Sequence, residues 1–194
     1  MTSGNDNKEL ILAHEREFAA RLASQIIPKP KLNAWMIFIP FIFIFYFQDL
    51  SKYKKQRKEF IDNYLLSREK ALNEAHDALA GSRKPDTASL AKQADLKERE
   101  TRKYGQFLAV LADHYSSLLP VQADTYPDLI KKGYGNKKEN YLLFIHQLNT
   151  VEKELNKALK ASMKKSGQGI GETIRKMENS SDMLRRMEIE EFYA

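Results

Sequence analysis

Residues 34–47 read AWMIFIPFIFIFYF, an unbroken run without a charge and with a proline at its centre. A helix apolar on every side must be enclosed by a large protein or by lipid. With 194 residues, 30% of them charged, the chain cannot supply that enclosure itself. The run therefore predicts membrane insertion, with Trp35, Ile37, Phe38, Pro40, Phe41, Phe43, Phe45 and Tyr46 as inserting residues. Trp35 and Tyr46 stand near its two ends, where amphipathic rings favour the headgroup level.

Two topologies fit the block. As a helix, residues 34–47 rise roughly 21 Å, against about 30 Å of bilayer hydrocarbon. Extending to residues 32–50 reaches about 28 Å, but admits Asn33, Gln48 and Asp49. Pro40 removes a backbone donor and kinks or breaks the helix, and Pro28 and Pro30 redirect the chain just before it. Lys29 and Lys31 precede the block; Lys52, Lys54, Lys55, Arg57 and Lys58 follow it. Positive charge stays on the cytoplasmic side. A re-entrant hairpin satisfies both flanks, and a true span satisfies the stronger, C-terminal one. Either places residues 51–194 on the cytoplasmic side. A secretory signal does not fit, because no small-residue cleavage site follows the block.

The remaining chain is patterned for helices. Residues 1–31 form an N-terminal amphipathic helix with Ile11, His14, Phe18 and Leu22 at helical spacing. Residues 32–50 are the membrane segment, broken at Pro40. Residues 51–194 form a cytoplasmic bundle with helices over about 51–80, 88–119, 138–165 and 171–191, and Gly81 as the stop of the first of these. No stretch alternates like a strand outside the block. The fold class expected is all-α: an elongated up-and-down bundle of coiled-coil-like hairpins joined by short connections. That topology returns the irregular stretch 120–138 to the membrane. Its Lys131, Lys132, Lys137 and Lys138, interspersed with Tyr126, Leu129, Ile130 and Tyr134, then suit a second contact with anionic headgroups.

Little in the sequence carries catalytic chemistry. There is no cysteine, which excludes disulfides and thiolate sites. His14, His76, His114 and His146 fall one per expected helix, with no Glu-x-x-His or His-Glu-x-x-His motif. No metal ligand set and no cofactor are predicted. The glycines at 167, 169 and 171 precede a helix but follow no strand, so a hinge is the simpler reading than a phosphate site. The net charge of +6 is concentrated beside the apolar block, which favours anionic lipid over nucleic acid. The first half of the 88–119 helix is poor in apolar residues, and its face is expected to meet a protein partner or a second copy. Met177, Met183 and Met187 could add an adaptable surface. The function these features predict is a non-enzymatic, membrane-attached scaffold or accessory subunit. The alternative is a ligand- or metal-binding bundle, as in a monotopic enzyme acting on lipid-linked substrates.

Overall fold

The computed structural model describes residues 3–29, 42–162 and 170–194. Within them the chain is all-α, with seven helices and no strand. These are α1 (Ser3–Ile26), α2 (Ile42–Ala80), α3 (Thr87–Lys92), α4 (Glu98–Leu118), α5 (Tyr126–Gly133), α6 (Lys138–Ser162) and α7 (Ile170–Phe192). Among the described residues no helix is long and apolar enough to cross a membrane.

Cross-helix bonds fix the directions. Arg68 of α2 meets Glu15 of α1 at 2.9 Å, and Arg57 donates to the Ala20 carbonyl at 3.2 Å, so α1 and α2 are antiparallel. Asn7, near the start of α1, donates to the Leu119 carbonyl at 3.0 Å, and the Tyr115 hydroxyl donates to Glu15 at 2.7 Å. Helix α4 is thus antiparallel to α1 and parallel to α2. Helix α6 runs against α4, with Phe144 stacked 4.0 Å from His114 and Glu154 paired with Lys103 at 2.5 Å. Helix α7 runs against α6, through Asn156–Glu178 at 3.0 Å and Lys138–Glu190 at 2.9 Å. It also closes on α1, where Lys176 donates to the Ile26 carbonyl at 3.3 Å.

The parallel α2–α4 pair corrects the expected up-and-down hairpin. Parallel neighbours need a crossover, and residues 81–97 provide it, with α3 laid back along α4. The single helix expected over 88–119 is broken at residues 93–97. There Asp95 takes a left-handed backbone (φ 48°), which a short polar side chain tolerates. The Glu100 carboxylate then accepts from the Lys97 N–H at 3.3 Å and restarts the helix as α4. Ala91 is buried, and Leu90, Ala94 and Leu96 pack against the core. The apolar-poor stretch meets its own chain. The end of α2 differs in detail from expectation too: Ser82 (φ 49°), rather than Gly81, is the left-handed residue, with Arg83 N–H donating to the Ala78 carbonyl at 2.9 Å.

Helix α2 starts at Ile42, inside the apolar block, and continues for 39 residues to Ala80. The expected boundary at residue 50 is therefore not a structural break. Nothing between Ile42 and Ser51 is a proline or glycine.

The stretch 120–138 is not irregular throughout. Thr125 caps α5 by accepting from the Asp128 N–H at 3.3 Å, and Pro127 sits in its first turn. Helix α5 plugs one end of the bundle with Tyr126, Leu129 and Ile130, all buried. Gly133 in its last turn lies against α4. A Cβ there would meet Leu118 Cδ2 at 2.5 Å and the Ser117 carbonyl oxygen at 3.3 Å. Leu118 is fully buried and has nowhere to swing. Gly133→Ala is therefore expected to cost about 1–3 kcal/mol of stability. Urea unfolding would show it as a lower midpoint at constant slope; an unchanged midpoint would mean that α5 is free to shift.

Apolar residues at helical spacing form most of the core. Ile11, Phe18 and Leu22 of α1 are buried, as are Tyr104, Phe107, Leu108, Leu111, Tyr115 and Leu118 of α4. Leu79 and Met187 are exposed. Their neighbours Ala78, Glu188 and Ile189 are buried, so Leu79 and Met187 lie on the outward faces of α2 and α7.

Candidate functional site

Two regions stand out. The first is the end of the bundle at which α1 finishes and α2 begins. Ile26, the last residue of α1, lies beside Lys176 near the start of α7. Lys160 near the end of α6 lies over Gly171, whose Cβ would approach the Lys160 ammonium to 2.7 Å. Lys29, Lys52, Lys54, Lys55 and Lys58 are exposed at this end, and half-buried Arg57 ties α2 to α1. Of the expected inserting residues, Trp35, Ile37, Phe38, Pro40 and Phe41 lie outside the described residues. Phe43, Phe45 and Tyr46 fall on the first turns of α2.

The second basic cluster is not at this end. Tyr126 of α5 stacks on His14 at 3.7 Å and meets Phe192 at 5.8 Å. Phe192 and Lys176 are separated by sixteen residues of α7, about 24 Å of helix. Lys131, Lys132, Lys137 and Lys138 therefore sit at the opposite end from Lys52–Lys58, and one flat surface cannot meet both clusters. The cause is the α2–α4 crossover, which turns α4 away from the end where α2 begins. Lys132 donates to the Gln122 carbonyl at 2.8 Å, and Lys138 pairs with Glu190.

The second region is the bundle interior. Arg68 of α2 and Arg185 of α7 are each 4% exposed. Arg68 pairs with Glu15 and, at 2.8 Å, with Glu152 of α6; Arg185 meets both oxygens of Glu152 at 2.7 and 2.9 Å. The Arg68 guanidinium lies 3.6 Å from the centre of the Tyr64 ring. Beside this chain, Glu188 is buried and is paired by Arg21. Burial alone would raise the Glu152 carboxyl, but Arg185 and Arg68 outweigh it and hold the group below the usual carboxylate range. Burial drives His14 from 6.5 down to about 3, helped by the Arg21 charge. Burial also takes His114 to about 3, helped by His14. Glu188 lies 3.7 Å from His14 but is already claimed by Arg21, so it does not rescue the imidazolium.

This interior is closed chemistry. Every carboxylate and guanidinium in it has a partner of opposite sign. Its cavity, about 30 Å³, is lined by His14, His114, Tyr64, Arg68, Arg185 and Glu188, and is too small for an organic ligand. A wider cleft of about 230 Å³ reaches Arg68 and Glu152 from outside, past Asn156, Glu178 and Ser181. An open apolar groove of about 590 Å³ runs between α3 and α4 along Ala88, Ala91, Gly105 and Ala109, on the face expected to meet a partner. Two of the four histidines, His14 and His114, come together; His146 is exposed on α6, and His76 lies beside Asp77 on α2. Among the described residues no group of three or more His, Asp or Glu could hold a metal ion. The glycines at 167 and 169 lie outside the described residues.

Sequence reasoning missed the ionic interior, although a signal was present. Glu15 falls between Ile11 and Phe18 on their stripe, and Arg68 between Leu65 and Leu72. Glu152 falls between Leu148 and Leu155, and Glu188 between Leu184 and Phe192. A charge at a core position of each of four stripes indicates mutual pairing inside. Comparison with protein-family models, curated proteins and solved structures finds no match, so no family likeness adds to what the geometry gives.

Proposed function

We propose that the chain is a non-enzymatic, membrane-attached helical scaffold or accessory subunit, held at the cytoplasmic face by a re-entrant hairpin formed from residues 32–50. The observation that carries this reading is the packing of α1. Its residues Ile11, Phe18 and Leu22 are buried in the same body as α2 and α7. A crossing block would put α1 on the far side of the bilayer and strip those contacts away. A hairpin that enters and leaves one leaflet keeps them. It also leaves Lys29 and Lys52–Lys58 together on the cytoplasmic side, as the distribution of charge favours, and needs no helix long enough to span. The scaffold role is supported by large apolar side chains left exposed on α6 and α7: Leu142, Leu143, Met183 and Met187. These offer a protein partner or a second copy something to bury.

The chain has no cysteine, so single thiols can report topology without background. Glu9→Cys and Glu190→Cys, both at exposed positions, would be labelled by a membrane-impermeant maleimide in sealed vesicles of either orientation. Labelling of both from the cytoplasmic side, with the protein retained after carbonate washing, is the expected result. Labelling from opposite sides, or release by carbonate, would overturn the hairpin.

A second reading, a ligand-binding bundle, rests on the cleft that reaches Arg68 and Glu152. An incoming ligand would have to displace ion pairs already made, which makes it the weaker of the two.

A further inference from the structure

The basic end of the bundle is assembled from more of the chain than the juxtamembrane lysines. Besides Lys52, Lys54, Lys55 and Lys58 of α2, exposed Lys157 and Lys160 from the end of α6 and exposed Arg175 and Lys176 from the start of α7 arrive there. The contacts already given place the three stretches side by side: Lys176 reaches the end of α1, and Lys160 lies over the first turn of α7. Acidic groups here are fewer than basic ones: exposed Glu172 stands in the first turn of α7, and others are engaged along the helices. Glu59 and Asp62 pair with Lys55 and Lys58 along α2, and Glu178 accepts from Asn156. Among the described residues, Lys52, Lys54, Lys160 and Arg175 pair with no carboxylate. The opposite end differs. There Lys131, Lys132, Lys137 and Lys138 share the surface with Asp124, Asp128, Glu139, Glu190 and Glu191, so no excess of positive charge results.

We infer that this end, built jointly by α2, α6 and α7, is a docking face for a bilayer rich in anionic headgroups, set flush around the point where the apolar block leaves the bundle. The inference rests on the hairpin reading for its occupant. Three features commit it to lipid. The positive end is the one from which the apolar block emerges, its charge is complementary to an anionic leaflet, and the far end is balanced. Such a face orients the bundle upright on the membrane: headgroups contact α6 and α7 while the hairpin anchors α2. Lysines and arginines close to an anionic surface each strengthen attachment, and the effect is screened by salt.

The test is flotation of the full chain with vesicles of phosphatidylcholine alone and of phosphatidylcholine mixed with phosphatidylserine. K160E/R175E is compared with K131E/K137E at the far end, after matching urea midpoints establish that both variants are folded. The expected result is that K160E/R175E weakens binding to the anionic vesicles at least roughly thirtyfold, leaves binding to neutral vesicles unchanged, and is not copied by K131E/K137E. Equal losses from both variants, or no loss from K160E/R175E, would overturn the docking face. A labelled DNA duplex is the competing probe: tight duplex binding lost in K160E/R175E, without any preference for anionic vesicles, would assign the face to nucleic acid and sink the lipid assignment. The two readings fail separately. Binding to neutral vesicles without an anionic preference leaves the hairpin standing and removes the face. Anionic binding sensitive to K160E/R175E, without binding to neutral vesicles, keeps the face and removes the hairpin.

Discussion

Replacing Arg68 with methionine is expected to cost about 3–5 kcal/mol of folding stability, the usual range for breaking a buried ion pair by removing one partner. Its guanidinium serves Glu15 and Glu152 at once, and all three side chains are largely withdrawn from water. Without it, among the described residues, Glu15 keeps the Tyr115 hydroxyl and Glu152 keeps Arg185. The loss comes mainly from carboxylates left uncompensated in a medium that solvates them poorly. Domains of this size hold about 5–15 kcal/mol in total, so the variant should sit close to unfolding at physiological temperature. Arg68→Lys should recover only part of the loss, because one ammonium cannot reproduce a fork that addresses two carboxylates. Lys103→Ala, which removes the half-buried partner of exposed Glu154, should cost under about 1 kcal/mol. Urea titrations of the three variants provide the check. A midpoint for Arg68→Met as mild as that of Lys103→Ala would mean that water enters the interior and replaces the guanidinium.

Acid should unfold the protein earlier than carboxylate titration alone requires. His14 and His114 have folded-state values near 3, against 6.5 when unfolded. Depressed values mean that the folded state disfavours the proton. The stabilisation is complete above about pH 6.5, shrinks as the pH falls below it, and is gone once the pH passes about 3. At 1.36 kcal/mol per unit, each histidine forfeits about 3 kcal/mol between pH 7 and pH 4. The groups facing them do not reverse this. Glu188 on α7 is held by Arg21, while Tyr126 of α5, Tyr134 beyond α5 and Phe144 of α6 offer rings or a neutral hydroxyl. Glu152 adds a further loss at lower pH, since its folded value lies below the usual carboxylate range. The check is stability measured across pH 7 to 4 for the parent and for a His14→Phe/His114→Phe variant. Phenylalanine keeps the flat rings stacked on Tyr126 and Phe144, so the slope should flatten. An equally steep slope in the variant would place the acid sensitivity elsewhere.

Helix content was legible from the apolar stripes, because burial and spacing are set by the same 3.6-residue period. What the stripes could not give was direction. The step from α2 to α4 depended on whether residues 81–97 formed a tight turn or a crossover, and that hinged on Asp95 adopting a left-handed backbone and on Glu100 capping a new helix. With the turn assumed, Lys131–Lys138 came out beside Lys52–Lys58; with the crossover, they part to opposite ends. The basic end itself was half legible. Its α2 portion is contiguous in sequence, whereas Lys157, Lys160, Arg175 and Lys176 join it only through tertiary packing.

The closure of α1 by α7 also sets an order of events during synthesis. Residues 3–26 emerge well before α7, the helix that covers Phe18 and Leu22 through Leu184. Contacts that distant in sequence form late and slowly. Until they do, α1 presents an apolar stripe and the block after it has no finished bundle to restrain it. On the hairpin proposed above, insertion of residues 32–50 into lipid would have a head start over folding. A ribosome stalled before α7 would leave an unfinished bundle, a ready substrate for chaperones and proteases.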